Sequence, residues 1–246
     1  MNSTTTKLEV KTPVRIDNYI FDERFYRWTN EKGEDVYYPS VTYILGCAYP
    51  SDFGLTQWRG DVGNKRADEI LEESAADGSY VHDAIKKILE GEQIERSAIE
   101  MGFLPRRALK VMRCLKAFLD WYTEYKPQVL ATEYIVWNEE HKFAGTVDLR
   151  CKIGEDTYIV DFKTGKSLHE SHKAQICAYG LADPADKVAL LHLGNTTKKK
   201  YSFNVLDDDE RKQYMEEFNQ TNKLFRTLNP NAKPNEETFP DVFILG

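Results

Sequence analysis

Two short runs of residues, each with one aspartate, constrain the fold of this chain more than any other feature. The stretch FAGTVDLRCKIGEDTYIVDFKTG, residues 143–165, predicts two β-strands around a tight turn. Asp148 lies in the first run and Asp161 in the second, each among mostly apolar neighbours. A carboxylate in such a strand costs free energy unless it is paired, hydrogen-bonded or bound to a cation. These two residues therefore predict a polar site built into the sheet.

The register of the two strands follows from the turn that joins them. Residues 154–155 form a two-residue turn in this interpretation, with glycine in the first position, which a type II′ turn favours. Ile153 then faces Asp156, and equal steps along both strands bring Asp148 opposite Asp161. Directly opposed residues have Cβ atoms about 4.5–5.5 Å apart, so the two carboxylates would repel each other. A one-residue bulge would instead turn Asp148 to the other face.

The neighbours of the two aspartates suggest what could neutralise them. Lys163 follows Asp161 by two residues, so both side chains share one face of the strand. By the same alternation, Val147 and Leu149 are expected to point one way and Asp148 the other. A divalent cation with oxygen ligands would suit the carboxylate pair. Solvated aspartates on a surface hairpin are the alternative, and the spacing alone leaves both interpretations open.

The rest of the sequence predicts a single α/β domain whose first half is mostly helical. Ser40 is placed to cap a short helix over PSVTYIL, and Pro127 ends the helical part. The other expected segments are a loose end at residues 1–12, a β-hairpin at 24–38, helices over 58–126, strands at 129–137, 143–152 and 156–163, a helix at 171–182, two further strands, a long amphipathic helix and an extended tail from Asn229.

Composition and charge exclude several classes of protein. The sequence has no apolar run of about 18 residues, so we expect no membrane association. The four cysteines are far apart, which disfavours a zinc ribbon or a disulfide framework and favours a reducing cytoplasm. A net charge of -7 disfavours non-specific coating of nucleic acid, but it is compatible with a nuclease that has acidic metal ligands.

Several short motifs, in one order along the chain, resemble a known family. GTVDL, VDFKTG and QICAY resemble the PD-(D/E)XK nuclease superfamily in its RecB-like branch, and GSYVH resembles that branch's Gly-x-x-x-His helix. YPSVTYIL followed by FGLTQWR is similar to the start of the mitochondrial genome-maintenance exonuclease and related phage and bacterial exonucleases. The resemblance runs from about Pro39 to Tyr179. It implies a restriction-endonuclease-like core, a central mixed β-sheet flanked by helices.

The resemblance also implies roles for individual residues. The implied metal ligands are His82, Asp148, Asp161 and the main-chain carbonyl of Phe162, with Glu133 as a further candidate. Lys163 would orient or help to deprotonate the attacking water. Gln175 and Tyr179, four residues apart on one helix face, would contact the substrate near the scissile phosphate. Ser40 and Thr42 are candidates for a phosphate contact.

The implied cofactor is Mg²⁺ or Mn²⁺, and the imidazole ligand favours Mn²⁺ relative to a site made only of oxygen atoms. Related nucleases with an iron–sulfur cluster carry cysteines after the Gln-x-x-x-Tyr helix. The last cysteine here, Cys177, lies inside that motif, so no cluster is expected. Three basic stretches are candidates for contact with the DNA backbone: Lys198–Lys200, then Arg106 with Arg107 and Lys110, and Arg59 with Lys65.

These observations predict one nuclease domain over residues 1–246. Its parts are an arm and hairpin at 1–38, a helical part with the histidine motif at 39–126, the PD-(D/E)XK core at 127–228 and the tail at 229–246. The expected function is a metal-dependent exonuclease on DNA with a free or single-stranded end, in replication, recombination or repair in a bacterial or phage-infected cytoplasm. Single-strand-binding or recombination proteins are possible partners. The alternatives are an endonuclease with the same site and a catalytically silent DNA-binding module.

Overall fold

The computed structural model describes residues 13–18, 23–30, 32–50, 53–235 and 237, and the expected loose end at residues 1–12 lies outside this part of the chain. Strands β1 (Val14–Asn18), β2 (Glu23–Thr29) and β3 (Asp35–Pro39) form an antiparallel sheet. Strands β4 (Gln128–Asn138), β5 (Phe143–Ile153), β6 (Asp156–Lys163), β7 (Lys187–Leu193) and β8 (Tyr201–Val205) form a second sheet in that order. The helices are α1 (Val41–Ala48), α2 (Phe53–Val62), α3 (Asn64–Leu89), α4 (Arg96–Gly102), α5 (Pro105–Tyr125), α6 (Glu170–Ala182) and α7 (Asp208–Leu228).

The larger sheet is mixed, because β6 and β7 are parallel and the other neighbouring strands are antiparallel. Helix α6 provides the connection that a parallel pair requires. One face of the sheet packs in a buried cluster with α1, α6 and α7, and the other packs with α3 and α5. The expected central mixed sheet flanked by helices is therefore confirmed. The division of the chain into one domain with four parts stays a prediction.

The turn between β5 and β6 is formed as predicted, but the register holds only part of the way to the aspartates. Gly154 has φ of +62°, as a type II′ turn requires, and the ladder runs from the Ile153–Asp156 pair to the Leu149–Val160 pair. It ends one step before Asp148 would pair with Asp161. The N–H of Phe162 donates instead to the Asp148 carboxylate, with N and Oδ2 2.6 Å apart. The Asp148 carboxylate thus accepts an N–H that would bond to a main-chain carbonyl in a regular ladder. The pairing of β5 with β6 ends here, so the strands part at the site.

The predicted alternation around Asp148 is wrong. Val147 packs in the cluster beneath α1, α6 and α7, whereas Leu149 packs in the cluster beneath α3 and α5. The neighbouring strand is irregular at the same level, because Glu133 lies between the Thr132–Leu149 and Tyr134–Val147 pairs and has φ of +46°. Both strands therefore depart from regular geometry beside Asp148, where the ladder between β5 and β6 also ends.

Two of the candidate DNA-binding cations form contacts between helices, and their contact with DNA stays a prediction. The buried carboxylate of Asp77 on α3 accepts a hydrogen bond from Arg107 Nε at 2.8 Å and from Lys110 Nζ at 3.3 Å, both on α5. In the other two stretches, Lys199 pairs with Glu124 and Arg59 pairs with Asp68. Each basic stretch therefore has at least one cation already engaged within the fold.

Replacing Asp77 should weaken the packing of α3 against α5. We expect Asp77→Asn to lower the free energy of unfolding by about 1.5 kcal/mol, because two hydrogen bonds from charged donors lose their anionic acceptor. Urea unfolding followed by circular dichroism measures this change. Asp83→Asn is the matched control, since Asp83 is exposed on the same helix and pairs with Lys87, a surface contact with little expected effect. Equal losses in the two variants would contradict the assignment.

None of the helices in the described part of the chain is long and apolar enough to cross a lipid bilayer.

Candidate active site

Helix α3 and strand β5 bring His82 and Asp148 together. His82 Nδ1 lies 3.2 Å from Asp148 Oδ1, while Asp148 Oδ2 accepts the Phe162 N–H described above. Burial raises the pKa of the Asp148 carboxyl, but the nearby imidazole and the N–H outweigh burial and hold this pKa below its usual value. Burial likewise lowers the pKa of His82, yet the Asp148 carboxylate outweighs it and raises the pKa to about 9. The pair is therefore a charged contact in the metal-free protein.

Glu133 joins this pair from strand β4. One ligand atom from each of His82, Glu133 and Asp148 lies within 4.8 Å of the other two. Burial, followed by repulsion from Asp148, raises the pKa of Glu133 to about 7. The left-handed backbone of Glu133 is a strained conformation, costing on the order of 1–3 kcal/mol, of the kind that surrounding structure maintains at functional sites. No feature of the sequence predicts this conformation, although the family resemblance makes Glu133 a candidate ligand.

Asp161 faces a different set of side chains, on helix α6 and at the end of β6. Gln175 Nε2 donates to Asp161 Oδ1 at 3.0 Å and to the Tyr179 hydroxyl at 2.9 Å. Lys163 Nζ donates to Gln175 Oε1 at 2.9 Å and lies 2.8 Å from Asp161 Oδ2. Burial raises the pKa of Asp161 to about 6 despite the opposing charge of Lys163. The four side chains form one buried polar network.

Two glycines allow helices to approach this site closely. A Cβ atom at Gly145 of β5 would lie 2.4 Å from Tyr179 Cε1, so the tyrosine ring occupies the space that a side chain would need. A Cβ atom at Gly78 of α3 would lie 3.0 Å from Thr164 Oγ1, just after Lys163. Close packing therefore explains why the GTVDL and GSYVH motifs have glycine, and not a larger residue, at these positions. The sequence identified both motifs but not these contacts.

The residues present fit a divalent cation with oxygen and imidazole ligands. His82 with Glu133 and Asp148 provides one imidazole and two carboxylates, a donor set that suits Mn²⁺ or Mg²⁺. Asp161 Oδ2 is buried and accepts no aligned hydrogen bond among the described residues, although Lys163 is near enough for an ion pair. This oxygen therefore has unused coordinating capacity. Coordination by the carbonyl of Phe162 stays a prediction.

Ser40 and Thr42 lie at the start of α1. The Ser40 hydroxyl accepts a hydrogen bond from Tyr43 N at 3.0 Å and is 3.0 Å from Thr42 Oγ1. This confirms the predicted helix cap and gives Ser40, which is buried, a structural role. Thr42 instead lines a cleft. A phosphate contact by either hydroxyl stays a prediction.

The cleft beside the site has a volume of about 1020 Å³. It lies among α1, α2, α6 and α7, and Gln175 links it to the network around Asp161. Leu55 from α2 and Leu224 from α7 are exposed large apolar side chains in its walls. Two carboxylates, of Glu170 and Glu217, also line it. The cleft is therefore largely apolar, with two carboxylates among its polar groups.

A comparison with models of protein families agrees with this geometry. Residues 57–238 match the PD-(D/E)XK nuclease superfamily, and the chain belongs to that superfamily. Nucleases of the superfamily use divalent metals, in agreement with the His82, Glu133 and Asp148 cluster. No curated protein shows significant sequence similarity to the chain. One similar solved structure is described as "Crystal structure of SSO0001"; it is 16% identical, with 56% of this chain and 69% of that chain covered and a TM-score of 0.29.

Proposed function

We propose that this chain is a metal-dependent DNA exonuclease of the RecB-like branch that hydrolyses phosphodiester bonds from a free or single-stranded end. The observation that carries the proposal is that two groups of polar side chains lie where strands β5 and β6 part. One group is the His82, Glu133 and Asp148 cluster, and the other is the Asp161 and Lys163 pair. Together they supply cation ligands and a fixed positive charge at one place in the sheet.

In this proposal, His82, Glu133, Asp148 and Asp161 hold Mn²⁺ or Mg²⁺. Such a cation, when bound, lowers the pKa of a coordinated water and neutralises charge that develops on the phosphoryl oxygens. The imidazole favours Mn²⁺ of the two. His82 must lose its proton to become a ligand, so cation binding replaces one positive charge beside Asp148 with another.

We assign to Lys163 the role of orienting the attacking water or helping to deprotonate it. Its ammonium carries three N–H donors and is positioned by Asp161 and Gln175, which leaves donor capacity for a water or a phosphoryl oxygen. A positioned cation stabilises charge that appears only in the transition state. Gln175 and Tyr179 are both buried and bonded to each other. We therefore assign them to positioning Lys163 and Asp161, and their contact with the substrate near the scissile phosphate stays a prediction.

The cleft supports an unpaired strand as the substrate. Its apolar walls suit the faces of nucleobases, and its carboxylates can accept hydrogen bonds from base amino groups while repelling phosphates. Bases are available for such contacts only where the strand is unpaired. The setting that we propose, from the family resemblance, is DNA replication, recombination or repair in a bacterial or phage-infected cytoplasm, with single-strand-binding or recombination proteins as possible partners.

Degradation of end-labelled linear and circular single-stranded DNA in Mn²⁺ tests the proposal. We expect the linear strand to be degraded and the circle to stay intact, because the circle offers no end. Cleavage of the circle would favour an endonuclease with the same site. Binding of both DNAs without cleavage of either would favour a catalytically silent module. A parallel assay with linear RNA of the same sequence tests the assignment of DNA as the substrate.

A further inference from the structure

The face of α3 that carries His82 continues one turn later with Lys86. Residues four apart lie above one another on a helix, so the Lys86 side chain emerges on the side that faces the candidate site. Lys86 is half-buried, in contrast to many lysines on the surface. Its sequence neighbour Lys87 lies on another face of the helix and pairs with Asp83, with Nζ and Oδ2 2.8 Å apart.

Lys86 is close to the acidic cluster but is not neutralised by a direct contact. It forms no ion pair with a carboxylate in the part of the chain that the structure describes. Helix α3 contacts strand β4, so the Lys86 ammonium lies near enough to the Glu133 carboxyl to act on its charge. Lys163 is the corresponding cation beside Asp161. The two lysines therefore flank the candidate site from α3 and from β6.

A substrate strand brings one negative charge per phosphate, and the acidic cluster by itself repels each of them. Lys163 is engaged by Asp161 and Gln175, whereas the Lys86 ammonium donates no hydrogen bond within the described residues and can offer its three N–H donors to a ligand. We propose that Lys86 binds a non-bridging oxygen of a phosphodiester that neighbours the scissile one, on the Glu133 side of the site. This assignment rests on the proposed function, because it requires a nucleic-acid strand across the site.

The test compares Lys86→Ala with Lys87→Ala, two neighbouring lysines of which only one faces the site. The measurement is the Kd for a labelled single-stranded oligonucleotide, in Ca²⁺ to avoid cleavage, at several salt concentrations. We expect Lys86→Ala to weaken binding about 10-fold and to reduce the slope of log K against log salt by about 0.7, the value for one phosphate contact on a single strand. Lys87→Ala should stay within about 2-fold of wild type, and Lys86→Arg should restore most of the affinity.

Unchanged affinity and salt slope in Lys86→Ala would overturn the assignment. A change in Mn²⁺ affinity without any change in DNA affinity would also overturn it, because Lys86 would then act only on Glu133. Wild-type protein that binds but never cleaves DNA, together with a weakened Lys86→Ala, would refute the proposed nuclease function and leave the phosphate contact standing. Wild-type protein that binds no DNA would overturn both.

Discussion

Asp161→Asn is expected to lower kcat/KM for DNA cleavage by at least about 10³-fold, with the fold intact. The substitution keeps the side-chain shape and an oxygen that can accept from Gln175. It removes the negative charge that attracts a divalent cation and that pairs with Lys163. Loss of an electrostatic contribution of this kind from a transition state corresponds to several kcal/mol. Single-turnover cleavage of end-labelled DNA in Mn²⁺ measures the effect.

A stability measurement separates this loss from unfolding. Asp161 is only 2% exposed, and a buried carboxylate is costly in the metal-free protein. We therefore expect the metal-free variant to melt within about 4 °C of wild type, and the stabilisation by added Mn²⁺ to decrease. Asp156→Asn is the matched control, because Asp156 begins the same strand at the turn and away from the site. Cleavage by Asp161→Asn within 10-fold of the control would place the chemistry elsewhere.

Gly145→Ala is expected to lower the free energy of unfolding by about 3 kcal/mol and to reduce cleavage as well. The added Cβ would lie 2.4 Å from Tyr179 Cε1, and both residues belong to the rigid core between β5 and α6. Overpacking of this kind forces side chains and backbone to shift at a cost of about 1–3 kcal/mol. Displacement of Tyr179 also removes the hydroxyl that accepts from Gln175. Urea unfolding and the cleavage assay measure the two effects.

The double variant Gly145→Ala with Tyr179→Leu tests the steric cause. Removing the ring makes room for the added methyl group, so the second substitution should cost less in the alanine background than in wild type. Gly60→Ala is the control, because no atom lies within 4 Å of a Cβ at that helical position and alanine favours helix. If the loss of unfolding free energy in the double variant equals the sum of the two single losses, the ring does not cause the destabilisation.

The sequence predicted those structural elements whose formation depends on residues close together in the chain. The Ser40 cap, the turn at residues 154–155 and the three core strands were found near their predicted positions. Each depends on a few neighbouring residues: a hydroxyl that accepts an N–H, a glycine with positive φ, or a run of apolar residues. The motifs also identified His82, Glu133, Asp148, Asp161, Lys163 and Gln175, which the structure brings to the parted strands.

The sequence did not predict how these residues divide into two groups. The alternation of β5 breaks at Asp148, which contacts His82, whereas Asp161 contacts Gln175 and Lys163. Period-two reasoning assumes regular strands and does not anticipate such a break. The same limit applies to Arg107 and Lys110, whose partner Asp77 is about 30 residues away in sequence.

The sequence by itself indicated the class of protein and the residue types at the site through its resemblance to a known family. It also predicted most of the order of the secondary structure, although not strand β1, from periodicity and turn chemistry that act over a few residues. Only the tertiary structure decided which carboxylates lie close together, which cations are engaged within the fold, and that Lys86 forms no ion pair among the described residues. The physical reason is that ion pairs, burial and backbone strain depend on distances between segments far apart in the chain, which packing alone fixes.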